Sequence, residues 1–359
     1  MHALVPDAPR GVRKMSERRI LITGAAGEIG HGLIHALSGQ DDVRLVAMDL
    51  REIPEALTGK LESSHQGDIC DRSFVEHVMS LHQINEVMHL AALLSTSAER
   101  APEQAHEVNV QGTFNLLRVS AEQAQANEGS VRFIFPSTIA IYGVDPREKD
   151  ELPPIREFQA LRPITMYGAN KLYCEAMGRY YGRYYRSLSR GQRRTPIDFR
   201  CVRLPGIISA ETVPVGGTSD YVPEMIHAAA RGDACTCFVR PETSLPWMMM
   251  PECVDAILQL AEAPVLSRCV YNIASFSATA GAFADSVRKH FPGAEISFEP
   301  HEGRQRLVDS WPADVDCVRA REDWGFAARW TLEEAMTEYI LPAIRRRYES
   351  ARPSEGANS

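Results

Sequence analysis

Tyr167 and Lys171, in Thr165-Met166-Tyr167-Gly168-Ala169-Asn170-Lys171, have the types and spacing of a proton-abstracting pair. Residues four apart share one face of a helix. A free tyrosine ionises near about pH 10, and a neighbouring ammonium favours the phenolate. Such a phenolate can take the proton of an alcohol while the carbinol carbon gives up a hydride. The chemistry then needs a hydroxyl to hold the substrate oxygen and an acceptor for the hydride. Ser137 and Thr138 follow the apolar run Arg132–Pro136; Thr138, ahead of Ser137, is expected to orient that oxygen.

The acceptor is indicated at the other end of the chain, in Arg18–Leu37, RRILITGAAGEIGHGLIHAL. This reads as a strand, a glycine turn and a helix. Gly24, Gly27 and Gly30 allow a tight turn, close approach of backbone N–H groups to a pyrophosphate, and close helix–sheet packing. A helix N-terminus favours the negative charge. The next strand, Arg44–Asp49, ends in an acid about twenty residues past the turn, where it can accept from both ribose hydroxyls. Asp49 would repel the extra phosphate of NADP, so NAD is the expected cofactor. Glu28 and Ile29, between the second and third glycines, are expected cofactor contacts.

The elements that must position these groups alternate along the chain. Glu62–Gln66 reads as a third strand, followed by Asp68, which could reach the adenine with Ile69 beside it, and by Asp71 as a helix N-cap. Glu86–Leu90 is the fourth strand, and after Leu90 the small Ala91 and Ala92 let a cofactor lie against the backbone. His89, on this buried strand, is read as a core histidine. Pro102–Ala124 is a long helical pattern interrupted by Asn109, a cofactor-site residue whose amide must be hydrogen-bonded if buried. Asp198–Arg203 is the sixth strand and Cys269–Ile273 a later one that rejoins the sheet. Strands alternating with helices predict a doubly wound parallel α/β sheet with ligands beyond the strand C-termini.

A chain of 359 residues with a net charge of −8 has length for two cores and no electrostatic attraction to nucleic acid or anionic membranes. No apolar run is long enough to span a bilayer. The eight cysteines contain no C-x-x-C pair, which fits reduced thiols in the cytoplasm. Scattered histidines offer no metal-ligand spacing, and no metal is expected. Residues 1–17 lack the apolar core of a secretory signal and read as a tail. Ser187–Pro196, SLSRGQRRTP, reads as a solvated basic link, and Glu349–Ser359 as a polar tail.

The combination resembles the short-chain dehydrogenase/reductase superfamily, in its extended branch of sugar-nucleotide epimerases and dehydratases. Within that branch the sequence is similar to NAD-dependent L-threonine 3-dehydrogenases. The similarity spans most of Arg19–Arg347 and is carried by His89-Leu90-Ala91-Ala92-Leu93-Leu94-Ser95, Pro136-Ser137-Thr138-Ile139-Ala140, Leu204-Pro205-Gly206-Ile207-Ile208-Ser209, and Ala320-Arg321-Glu322-Asp323-Trp324-Gly325. The most specific segments are Gly216-Gly217-Thr218-Ser219-Asp220-Tyr221 and Asp309-Ser310-Trp311-Pro312. Glu252 departs from the pattern, which has Asp there.

The resemblance implies a Rossmann domain over 18–205, rejoined by about 249–274, and a smaller interleaved substrate domain over 206–248 and 275–348. It makes Thr138 and Tyr167 the catalytic hydroxyls, Lys171 the residue that tunes the tyrosine and holds the nicotinamide ribose, and Ser95 and Thr218 substrate contacts. The implied reaction oxidises the 3-hydroxyl of L-threonine to 2-amino-3-oxobutyrate, which would decarboxylate or pass to a CoA-dependent lyase. A homodimer through the Gly112–Gln125 and Gly168–Leu188 helices is also implied. Two other readings use the same motifs, a sugar-nucleotide epimerase or dehydratase and a dehydrogenase of another 2-amino-3-hydroxy acid; a nucleotide-sensing protein that has lost turnover would be expected to lack Tyr167 or Lys171, and both are present.

Overall fold

The computed structural model describes residues 17–187, 196–214, 217–264 and 266–349. All but Glu17 of the expected N-terminal tail, most of the basic link over 187–196, Gly216 and the polar tail after 349 lie outside the described residues. The first strand, β1 (Arg18–Thr23), buries Ile20, Leu21 and Ile22 completely, as a central parallel strand covered on both faces must. It turns into α1 (Glu28–Leu37), which presses Leu33, Ile34 and Leu37 onto the sheet. β2 (Val43–Asp49) and β3 (Ser63–Gln66) follow, and Asp71 caps α2 (Arg72–His82) by accepting from the N–H groups of Ser73 and Phe74.

β4 (Glu86–His89) leads through the short α3 (Ser95–Arg100) into α4, made of Pro102–His106, a wide π turn at Glu107–Gly112, and Thr113–Ala126. β5 (Val131–Thr138), α5 (Met166–Arg183) and β6 (Ile197–Leu204) complete the part that carries the chemistry. After β7 (Gly206–Ile208) come α6 (Tyr221–Arg231), β8 (Cys235–Cys237), β9 (Ser244–Met249), α7 (Met250–Glu262) and β10 (Val270–Asn272). The remainder is β11 (Phe276–Thr279), α8 (Ala280–His290), β12 (Ile296–Phe298), α9 (Glu302–Asp309), α10 (Val318–Trp324) and a C-terminal helix over 332–349.

The main sheet has the order β3-β2-β1-β4-β5-β6-β10 with every pairing parallel. Its direction of growth reverses between β1 and β4. The crevice at that reversal, beyond the strand C-termini, is where ligands bind in such sheets. β10 does return to the main sheet beside β6, while β7, β9 and β11 form a three-stranded sheet and β8 pairs with β12. One apolar cluster joins Ile20, Ile22 and Leu33 to Met248, Met249 and Trp247, so the two sheets share a core.

α7 begins at Met250, two residues ahead of Glu252. Pro251 fits the first turn, and Glu252 explains the rest. Its carboxylate accepts from Met249 N at 3.3 Å and from Arg329 N at 2.7 Å, tying the start of α7 to the chain before the C-terminal helix. Its role here is therefore structural.

Candidate active site

The turn after β1 is built for close approach. Gly24 has φ +71°, and a Cβ there would lie 2.6 Å from Ala91 N, so β1 and the chain leaving β4 nearly touch at the crevice. A Cβ on Gly30 would meet Ala25 O at 2.6 Å. Gly27 caps α1 with no side-chain hydrogen bond, which leaves the N–H groups of the first turn, including those of Glu28 and Ile29, free of side-chain caps. Asp49 ends β2 beside them: one carboxylate oxygen accepts from Ala26 N and the other from Arg51 N, both at 2.9 Å. An ionised carboxylate has about four acceptor positions, so capacity for ribose hydroxyls remains. These residues fit a dinucleotide.

Asp68 and Ile69 are brought to the same end of the sheet, because Gly67 N donates to Asp49 O at 2.9 Å. The Asp68 carboxylate accepts from Cys70 N at 2.8 Å and is exposed; Ile69 is buried against Gly112 of the π turn. Asn109 uses both ends of its amide on Leu93, accepting from Leu93 N at 2.7 Å and donating to Leu93 O at 3.0 Å. Both bonds fix the backbone at Leu93, next to the Leu90-Ala91-Ala92 segment.

His89 is a satisfied core histidine, and its hydrogen bonds have one consistent direction. Thr113 Oγ1 donates to Asn109 O at 2.6 Å, so it must accept from His89 Nε2 at 2.8 Å. His89 Nδ1 then accepts from Thr23 Oγ1 at 2.7 Å. Cys174 on α5 adds a 3.2 Å contact from its thiol to Asn109 O. This chain of bonds runs from the end of β1 through the π turn to the helix that bears Tyr167.

Complete burial pushes the His89 pKa down to about 3, against about 6.5 for a free imidazole. The folded protein refuses a proton that the unfolded chain accepts. Its contribution to stability is therefore complete above about pH 6.5 and is lost as pH falls toward 3. Urea unfolding should show this loss, of order 1 kcal/mol per pH unit over that window. An acid limb equally steep in His89→Gln would refute the assignment.

The catalytic helix is placed by three contacts. Thr165 caps α5 by accepting from Gly168 N at 3.0 Å, and Glu99 of α3 accepts from Met166 N at 2.7 Å. Gly168 lets the first turn press on the segment after β5, since a Cβ there would sit 2.1 Å from Ala140 O. The glycine next to Tyr167 was visible in the sequence, but nothing there said what it touches. The result sets the Tyr167 phenol near the Thr138 hydroxyl, which favours its ionisation. The Thr138 hydroxyl also accepts from Ala140 N at 3.1 Å. Ser137 is buried with no partner for its hydroxyl among the described residues.

Lys171 is held at the end of β5. Its ammonium donates to Pro136 O at 2.8 Å and lies 4.4 Å from the Phe135 ring centre, against 5.9 Å from the Tyr167 ring centre. Burial lowers the Lys171 pKa and pushes the Tyr167 phenol up to about 12, only partly opposed by the neighbouring Thr138 hydroxyl. The lysine by itself therefore does not make this tyrosine a phenolate.

Ser95 and Thr218, 123 residues apart, meet with their hydroxyl oxygens 3.0 Å from one another. Ser95 is not the N-cap of α3; Leu94 occupies that position. Ser95 and Glu99 are one turn apart, so the hydroxyl pair stands on the face of α3 that supports the start of α5. The Gly217–Asp220 turn is held by Gly217 N donating to the Asp220 carboxylate at 2.7 Å and by Arg304 donating to Gly217 O at 2.6 Å. Arg304, whose guanidinium lies 3.3 Å from the Phe238 ring centre, carried no signal in the sequence.

Residues 20–274 match the NAD dependent epimerase/dehydratase family. The mitochondrial L-threonine 3-dehydrogenase of Bos taurus is 36% identical over 332 residues, covering 90% of this chain and 82% of the bovine one. The solved L-threonine dehydrogenase of Clostridium difficile superposes with a TM-score of 0.80 at 29% identity, covering 92% of this chain and 99% of its own. A monomeric L-threonine 3-dehydrogenase from a metagenome, solved in its apo form, gives 0.78 at 31% identity over 91% and 99%.

Proposed function

Because the chain belongs to the NAD dependent epimerase/dehydratase family, we propose that it is an NAD-dependent L-threonine 3-dehydrogenase, converting L-threonine to 2-amino-3-oxobutyrate. The observation that carries this reading is the pairing of two hydroxyl clusters, Tyr167 with Thr138 and Ser95 with Thr218. Short hydroxyl side chains suit an amino acid that presents one alcohol, one carboxylate and one ammonium. The 36% identity to the bovine enzyme supports the same substrate.

Thr138 holds the substrate hydroxyl, and Tyr167 takes its proton as the carbonyl forms at that carbon. Bound NAD supplies the acceptor for the hydride and, through its charged ring, favours the phenolate. Lys171, one turn along α5, adds its own positive charge on the same face and is assigned to the nicotinamide ribose. Gly24, Gly27, Gly30 and the first turn of α1 take the pyrophosphate, with Asp49 on the ribose hydroxyls and Asp68 toward the adenine. The test is NADH absorbance with a panel of L-threonine, L-serine, phenylserine and a UDP-hexose. Turnover of the UDP-hexose alone would replace this reading with a sugar-nucleotide epimerase or dehydratase.

Asp49 is the proposed filter against NADP. Asp49→Asn should lower kcat/KM for NAD about 10–100-fold, the worth of a hydrogen bond to a charged group, and raise the relative rate with NADP. Initial rates with both cofactors check this, and an unchanged ratio would refute it. The assembly we propose is a homodimer through α4 and α5, where Tyr173 and Tyr180 of α5 and Tyr184 just after it are each about half exposed. Light scattering should return twice the chain mass, and Tyr180→Glu should return the monomer; a monomer in both would overturn the dimer. The cytoplasm is the proposed compartment, in keeping with eight unpaired cysteines.

A further inference from the structure

A groove outside the site already described runs between α5 and β10, at the edge of the main sheet. Its floor is the buried pair of Arg203 and Glu175, joined by two hydrogen bonds at 2.9 and 2.6 Å. These charges cancel. Two further arginines at the groove are also neutralised, Arg268 by Asp323 at 2.6 Å and Arg319 by Glu157 at 3.5 Å. Arg179 and Arg183, one turn apart on α5 and both exposed, differ. Among the described residues neither has a carboxylate partner, and Arg183 donates only to the carbonyl of Ser267. In a chain of net charge −8, this groove keeps two guanidinium groups uncompensated.

The rest of the lining includes an apolar part. Phe158 is 60% exposed and Leu161 36% exposed, with Leu172 beside them, and the Arg319 guanidinium lies 5.2 Å from the Phe158 ring centre. A ring inserted there would meet an aromatic face and a guanidinium plane, both good stacking partners. Arginine forks match phosphate oxygens in pairs. On α5, Arg179 and Arg183 lie about 100° around the helix from Tyr173 and Tyr180, so the groove is separate from these tyrosines.

We propose that this groove binds an adenine nucleotide or a similar organic phosphate, its ring against Phe158 and its phosphates on Arg179 and Arg183. The two features act together: neither a bare phosphate nor a bare nucleoside satisfies both parts of the lining. Since α5 also carries Tyr167 and Lys171, an occupied groove would load the helix that bears the catalytic pair.

The test titrates ADP into full-length protein saturated with NAD, so that the turn after β1 is filled, with adenosine and pyrophosphate as separate probes. ADP should bind at least about tenfold more tightly than either probe. In the double variant Arg179→Ala/Arg183→Ala its binding should weaken about 10–100-fold, as expected for loss of charge-assisted hydrogen bonds, with NAD affinity and thermal unfolding unchanged. Phe158→Ala should remove the advantage of ADP over pyrophosphate. ADP binding that is absent, matched by pyrophosphate, or unaltered in the double variant would overturn the proposal; the last would place ADP at the cofactor turn.

Discussion

Tyr167→Phe should lower kcat with L-threonine and NAD by about 10²–10⁴-fold, the range that a positioned general base contributes. The change removes one oxygen. The phenyl ring keeps its packing at the start of α5, and the caps of that helix, Thr165 and Glu99, are untouched. KM for threonine and thermal unfolding should therefore move little. The wild-type rate should also rise with pH, because only the phenolate can accept the hydroxyl proton and burial pushes this phenol up to about 12 before a cofactor binds. In the variant that limb of the profile should vanish. Retention of more than about a tenth of the rate would mean that another group is the base.

The second large effect is on stability. Arg203 and Glu175 are 3% and 5% exposed and meet at 2.6 Å. Arg203 also donates to the Tyr142 hydroxyl at 2.7 Å and to Glu157 O at 2.6 Å, which ties β6 to the segment between β5 and α5. Arg203→Leu strands an ionised carboxylate in the core. Breaking one side of a buried pair costs about 3–5 kcal/mol, a large part of the 5–15 kcal/mol typical of a domain. Arg203→Leu/Glu175→Leu should recover much of that loss, since the uncompensated charge is gone. Urea unfolding of the three proteins measures it; a single variant within about 1 kcal/mol of wild type would show that the pair does not hold the core.

The nucleotide half was legible because its signals are local. Glycines at Gly24, Gly27 and Gly30, the acid at Asp49 and the Tyr167–Lys171 spacing each declare themselves within a few residues, and the alternation of strands and helices orders them. Contacts between distant segments were not. That Asn109 would spend its whole amide on Leu93 depends on a π turn, which has no periodic signature. The approach of Ser95 to Thr218 came only through resemblance, because nothing in either segment points to the other. Lys171 shows the limit of spacing: one turn from Tyr167, its ammonium still donates a hydrogen bond to Pro136 O, because a strand carbonyl lies within reach of its long side chain. β7, β8 and β12 are three residues each, too short for alternation to stand out.

The most direct test of the account follows the hydride itself. L-threonine carrying deuterium at its hydroxyl-bearing carbon is incubated with the protein and NAD, and the released cofactor is weighed by mass spectrometry. One deuterium is expected in free NADH, formed in step with loss of threonine and abolished in Tyr167→Phe. Unlabelled cofactor and intact threonine, with a UDP-hexose converted by the same protein, would contradict it.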